Sequence, residues 1–172
     1  LSKIRITKAK VTKEKKISME FQKLTKNLGW DEYSFTCSED ARPEFHAAMN
    51  SLAIHVIEMC ELPDEYLNRI NVRGVSFSYG GDKEVMGATI TAQMKLENSN
   101  SDLNLNTPHK ASDSYSDGPA DEKQLLSDDC IRYLLKLQKE CELYIDGERA
   151  QVSIFKNHER KEDVTTQQPH LN

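Results

Sequence analysis

Residues 70–107 read INVRGVSFSYGGDKEVMGATITAQMKLENSNSDLNLNT. In the middle of this stretch Met86, Ala88, Ile90, Ala92, Met94 and Leu96 alternate with Gly87, Thr89, Thr91, Gln93 and Lys95. A period of two is the spacing of a sheet with one buried face and one wet face. The stretch therefore predicts three strands, at 70–79, 85–96 and 103–107. Gly80-Gly81-Asp82 supplies the positive-φ residues that a short connection needs. In the first of these strands the apolar parity shifts between Ile70 and Val72 on one side and Val75, Phe77 and Tyr79 on the other. A bulge at Gly74 would repair it.

The same pattern opens the chain. Ile4 and Ile6, then Ile17, Met19 and Phe21, alternate with polar neighbours on either side of Thr12-Lys13-Glu14-Lys15, so residues 3–24 read as a hairpin. Ala9 and Val11 fall out of step with Ile4 and Ile6, which predicts a bulge near Lys8. After a turn at Gly29-Trp30-Asp31, Tyr33, Phe35 and Cys37 continue as a third strand. Phe45, Met49, Leu52, Val56 and Cys60 then share one helical face, with Pro43 in the first turn and Pro63 as the stop. Residues 109–121 read as a surface loop. Cys130, Leu134, Leu137, Cys141 and Tyr144 mark a second helix, with Ser127 as its cap and Gly147 as a left-handed stop. The expected fold class is α+β: antiparallel sheet with two helices in the order βββα-βββα. That order would also arise from a loose internal repeat, although the two halves do not align residue for residue. Residues 1–150 are expected to form one domain and 151–172 a polar tail.

Composition narrows the setting. The 172 residues are 37% hydrophobic and 30% charged, which suits one core with a polar surface. No apolar run approaches the roughly 18 residues of a membrane span, and Leu1–Lys16 is basic without an apolar stretch, so a cytoplasmic location in a bacterial host is expected. Cys37, Cys60, Cys130 and Cys141 are scattered without a Cys-x-x-Cys pair and are expected to be buried, reduced thiols. No nucleophile–base pair or metal-ligand spacing stands out, so neither an enzymatic activity nor a cofactor is expected. His46 and His55, nine residues apart on one helix, point to nearly opposite sides and cannot share a metal.

Charge is unevenly placed. Residues 1–28 hold nine Lys or Arg against Glu14 and Glu20, a local +7 within a chain of net charge −5, so the remainder carries −12. Lys3, Arg5, Lys8, Lys10, Lys13, Lys15 and Lys16 on the first hairpin are the candidate nucleic-acid contacts, because spaced cations on a sheet neutralise phosphates and release counterions. Tyr33, Trp30 or Tyr79 would add base stacking where they face outward, which favours single strands. The bland alternative is that lysines on an edge hairpin keep it soluble. A second candidate is Gln151-Val152-Ser153-Ile154-Phe155, which resembles the pentapeptide that bacterial replication and repair proteins insert into the sliding clamp. Gln151 would be its polar anchor, and Ile154 and Phe155 would fill the partner's pocket. The bland alternative there is a last edge strand.

The segments 72–81, 87–92, 105–110 and 144–151 together resemble small uncharacterised proteins of bacteriophages and prophages. That resemblance implies no catalytic residues. It implies a setting, in which an accessory of phage DNA replication, recombination or repair, bound to nucleic acid and to a partner such as the sliding clamp, is the expected function. The alternative is an anti-defence protein that sequesters a host protein or small nucleotide through loop 97–110, where Asn104, Asn106, His109 and Lys110 gather.

Overall fold

The computed structural model describes residues 3–151. Strands β1 (Ile4–Val11), β2 (Ile17–Leu24) and β3 (Trp30–Cys37) lead into helices α1 (Pro43–Asn50) and α2 (Ala53–Met59). Strands β4 (Ile70–Gly80), β5 (Val85–Met94), β6 (Leu103–Asn106) and β7 (Lys110–Ala111) follow, and helix α3 (Asp128–Ile145) comes last. One antiparallel sheet runs in the order β3-β2-β1-β4-β5-β6, with β7 on the part of β5 that β6 leaves free. The fold is α+β, and its two βββ groups meet edge to edge through β1 and β4.

That meeting is short and symmetric. β1 and β4 pair through Lys8 with Ser76, Ala9 with Val75, and Lys10 with Gly74. Each strand carries a bulge just before this ladder, Thr7 in β1 and Arg73 in β4. Aligning β1 with β4 from Ile4 and Ile70 brings Thr7 onto Arg73 and Ala9 onto Val75. The Ala9–Val75 pair therefore sits on an approximate two-fold axis relating the halves. Both expected bulges are present, but Gly74 is not the extra residue. Its role is close approach: a Cβ there would lie 2.8 Å from the Ala9 carbonyl oxygen and 3.4 Å from Lys10 Cα.

All three helices pack against one face of the sheet. Ile6, Ala9, Ile17, Met19 and Phe21 from the first half join Val72, Val75, Phe77, Ala88, Ile90 and Ala92 from the second in one cluster. Phe45, Met49, Leu52 and Val56 cover it from one side, and Cys130, Leu134, Leu137, Cys141 and Tyr144 from the other. Ser127 caps α3 by accepting the Cys130 N–H at 3.2 Å, and Gly147 beyond its end takes φ +104°.

Several local expectations give way. The first helix is two pieces, interrupted at Ser51-Leu52, where the Ser51 hydroxyl donates to the Ala47 carbonyl at 2.7 Å and competes with the backbone ladder. α2 stops at Met59, before Pro63: Glu61 adopts φ +53° and the Leu62 N–H returns to the Ile57 carbonyl. Trp30 and Asp31 belong to β3, because the preceding turn closes between Thr25 and Gly29 with Leu28 at φ +60°. In the β4–β5 connection Gly81 and Glu84 take the positive φ values, and Gly80 stays in the strand. β7 lies inside the expected surface loop, placed by Ser112 N–H on the Met86 carbonyl and Leu126 N–H on the Ala111 carbonyl.

Gly74→Ala should cost about 1–3 kcal/mol, read as a lower midpoint in urea unfolding, because the added methyl meets backbone that cannot move without opening the β1–β4 ladder. Gly118→Ala, whose added Cβ would have as its nearest neighbour the Ser116 hydroxyl at 3.7 Å, should change stability by less than about 0.5 kcal/mol.

Candidate functional site

The sheet face away from the helices is polar across its width. One row across the strands runs Thr36, Ser18, Lys10, Gly74, Thr91, Asn106, and the next runs Ser34, Glu20, Lys8, Ser76, Thr89. Neighbours in these rows hold one another. Thr36 donates to Ser18 at 3.2 Å, Thr91 to Asn106 at 3.1 Å and Gln93 to Asn104 at 3.1 Å. Arg73, the bulge residue of β4, donates through Nε to Gln93 at 2.8 Å. Such cross-strand pairing orders a continuous polar surface, which suits a polar partner lying across the strands. At the far end of β4 and β5 the face is covered by the chain that follows β6. His109 Nε2 lies 2.8 Å from the Ser78 hydroxyl and over Gly87, and the Tyr115 ring lies on Gly80. A side chain at either glycine would collide with that cover.

The seven basic residues of the first hairpin divide into two groups. Lys3 and Arg5 are committed to Glu84 at the tip of the β4–β5 connection, at 2.8 and 2.9 Å. Arg5 also takes the Gln22 side chain at 2.8 Å and lies 3.8 Å from the centre of the Trp30 ring, with Tyr79 at 5.1 Å. It acts as a fastener where β1 and β4 diverge beyond the Thr7 bulge. Lys8 and Lys10 stand in the middle of the open face. Lys13, Lys15 and Lys16 crowd the exposed β1–β2 turn, where Lys15 takes φ +60°. None of these five appears among the ion pairs of the described residues.

The three aromatic side chains singled out in the sequence do not add a stacking surface to that face; Tyr115, 46% exposed, lies at its end over Gly80. Trp30 is covered by Arg5 and Lys3. Tyr79 turns toward the helices, where its hydroxyl donates to the Ile6 carbonyl at 2.6 Å and accepts from Gln138 at 2.9 Å; burial pushes its pKa up to about 12. Tyr33, 45% exposed, stacks on Phe21 on the helix side of the sheet. Around Lys8 and Lys10 the open face offers phosphate and hydroxyl contacts rather than base stacking.

The other expected sites separate. Gln151 is exposed and is the last described residue, just after Ala150, whose N–H donates to the Asp40 carbonyl. Val152, Ser153, Ile154 and Phe155 lie outside the described residues. Asn104 and Asn106 are used by Gln93 and Thr91, whereas His109 lines a cavity of about 270 Å³ with Asp113, Ser114, Asp121 and Gln124. The four cysteines are free thiols, but only Cys130 and Cys141 are buried; Cys37 and Cys60 are half-buried, against the expectation for all four. Burial pushes Cys130 up to about 12 and Cys141 higher still, which keeps both protonated near neutrality. His46 bonds Asp40 at 2.7 Å and His55 bonds Glu58 at 3.0 Å, so they do not meet. Among the described residues no group of three or more His, Cys, Asp or Glu is arranged to hold a metal ion, and no helix is long and apolar enough to cross a membrane. Arg73 and the hydroxyl–amide rows escaped the sequence reading, although the polar half of the β5 alternation, Thr89, Thr91 and Gln93, already announced them.

Comparison with protein-family models, with curated proteins and with solved structures found no match for this chain.

The hydrogen bond from Lys3, then the charges of Lys3 and Arg5, hold the Glu84 carboxyl below the ordinary 4.5. A depressed carboxyl stabilises the fold above its unfolded pKa and loses that contribution as pH falls through the folded value. Carboxyl-detected NMR titration should place the Glu84 midpoint below 4.5, and Arg5→Gln should move it upward. An unchanged midpoint in Arg5→Gln would remove the fastener role from Arg5.

Proposed function

We propose that this protein is a non-enzymatic accessory of phage or prophage DNA metabolism that binds the sugar–phosphate backbone of nucleic acid across the open face of its sheet. The observation that carries the proposal is the placement of Lys8, Lys10, Lys13, Lys15 and Lys16. These five cations come from one hairpin, have no carboxylate partner among the described residues, and adjoin rows of hydroxyl and amide donors. Arg73 adds a sixth cation from the other half of the sheet. Positive charge localised on an acidic body steers a polyanion to one surface and repels it from the rest, while Glu20 and Glu32 at the β2–β3 side limit the affinity. With Trp30, Tyr33 and Tyr79 engaged elsewhere, contact around the lysines is through phosphates and sequence preference is low. The phage setting rests on the sequence resemblance alone. In the same scheme residues 151–155 engage a replication partner such as the sliding clamp.

A sequestering role through loop 97–110 has less behind it. The cavity beside His109, at about 270 Å³, falls below the roughly 300–1,000 Å³ of ordinary small-molecule sites, and Asn104 and Asn106 are turned to other work.

Fluorescence anisotropy with labelled single- and double-stranded oligonucleotides, from low to moderate salt, tests the proposal. If all five lysines meet phosphates of a single strand, log K should fall against log salt with a slope of about −3.5. Replacing Lys8, Lys10, Lys13, Lys15 and Lys16 by Gln should abolish both binding and slope, whereas Lys136→Gln on α3 should leave them unchanged. Absence of binding by the unaltered protein at low salt overturns the proposal. For the partner, Gln151→Ala with Phe155→Ala should lose capture of purified clamp.

A further inference from the structure

His55 on α2 is 4% exposed, and its two ring nitrogens have different fates. Nδ1 lies 3.0 Å from a Glu58 carboxylate oxygen one turn along the same helix. Nε2 is buried and has no hydrogen-bond partner. A buried imidazole nitrogen without a partner costs free energy comparable to a lost hydrogen bond, so something polar belongs there. The ring lines a half-open pocket of about 120 Å³ between α2, β7 and the start of α3. Its other walls are Lys110 from β7, Glu58 and Met59 from α2, Ser127 and Cys130 from the start of α3, and the apolar side chains of Leu125 and Leu126.

These groups have a common chemical preference. The α3 N-terminus brings the positive end of an 18-residue helix dipole. Lys110 brings a full positive charge and takes part in no ion pair among the described residues. Ser127 accepts the Cys130 N–H through its oxygen and keeps its own hydroxyl proton to donate. Three negative groups are near. Glu58 is engaged by His55 and its side chain is 57% exposed, so solvent screens it; Asp128 and Asp129 are exposed, and Asp129 bonds Arg132 at 2.9 Å. In the tautomer that gives its Nδ1 hydrogen to Glu58, the His55 Nε2 is an acceptor, which calls for a ligand carrying an O–H of its own. An oxyanion that keeps a proton satisfies both demands: its oxygens accept from Lys110 and Ser127, and its hydroxyl donates to His55.

We infer that the pocket lined by His55, Lys110, Ser127 and Cys130 is a binding site for a small protonated oxyanion of the phosphate class, either free inorganic phosphate or the terminal phosphoryl group of a larger molecule. The site lies on the helix side of the sheet and is independent of the lysine hairpin. Of the two tetrahedral anions that would fit, hydrogen phosphate can donate and sulfate cannot, so the site should discriminate between them.

Titration of the full chain with inorganic phosphate, followed by the His55 ring-nitrogen resonances and by isothermal calorimetry, tests the inference. Saturable binding that shifts the Nε2 signal, with sulfate weaker than phosphate, is expected. Lys110→Gln should weaken binding by about tenfold or more, as loss of a charged hydrogen bond does, and Lys83→Gln in the β4–β5 connection, which is not among the lining residues, should not. His55→Gln is a second variant. Should it fail to fold, Lys110→Gln, which changes a partly exposed side chain, still decides. A parallel titration with adenosine monophosphate separates the sources: affinity equal to phosphate points to a phosphoryl group presented by a larger molecule, and no affinity points to the free anion. Ring resonances unmoved by phosphate at tens of millimolar, equal binding by Lys110→Gln, or a crystal grown in phosphate with only water in the cavity would overturn the inference.

Discussion

Ala9 and Val75 face each other at the centre of the molecule, and the rest of the fold depends on their strands being able to touch. Only three residue pairs join β1 to β4, and the bulges at Thr7 and Arg73 bend both strands away once those pairs have formed. A small residue on one side of this seam and a glycine beside it let two three-stranded units become one sheet with a continuous apolar face. The helices can then be shared. α3, which ends the second half, packs over β1 of the first, and α1 and α2, which end the first half, reach β4 and β5 of the second. Neither half covers its own core.

Closing one face so completely leaves the other with no helices to hide it, and its chemistry follows. Side chains there must be compatible with water and with one another, and the hydroxyl and amide rows meet both conditions by pairing across strands. Cations near the middle of that surface would be unremarkable if carboxylates neutralised them, as Glu84 does for Lys3 and Arg5. For Lys8 and Lys10 the opposed residues are Glu20 and Ser18 on one strand and Ser76 and Gly74 on the other, without a close ion pair. The difference between fastening cations and free ones is thus a difference of position along a single strand, on either side of one bulge.

Much of the architecture was legible because period two is a strong signal. The alternation in 85–96 placed β5 and its wet face, and the broken parities of Ile4-Ile6-Ala9-Val11 and Ile70-Val72-Val75-Phe77 located both bulges. What could not be read was anything set by residues distant in sequence. Lys3 looked as available as Lys8, since the partner that commits it, Glu84, is 81 residues away. Gly74 was assigned to backbone freedom when its cause is the Ala9 carbonyl of another strand. β7 is two residues long, below the reach of any periodicity, and exists because β5 has a free edge that β6 does not fill. Helical spacing keeps His46 and His55 apart, but the surroundings of the unpaired His55 nitrogen depend on β7 and α3, which only the folded chain brings near.

The central seam also dictates the order in which the chain can become stable. A ribosome releasing the first seventy residues delivers β1, β2 and β3 with the outer edge of β1 unpaired and the apolar face partly bare, because the strand that completes it has not yet been made. Contacts so far apart along the chain form late and slowly. Until β4 arrives, the lysines at positions 8 and 10 lie along that open margin, where their mutual repulsion discourages a second nascent chain from pairing in its place.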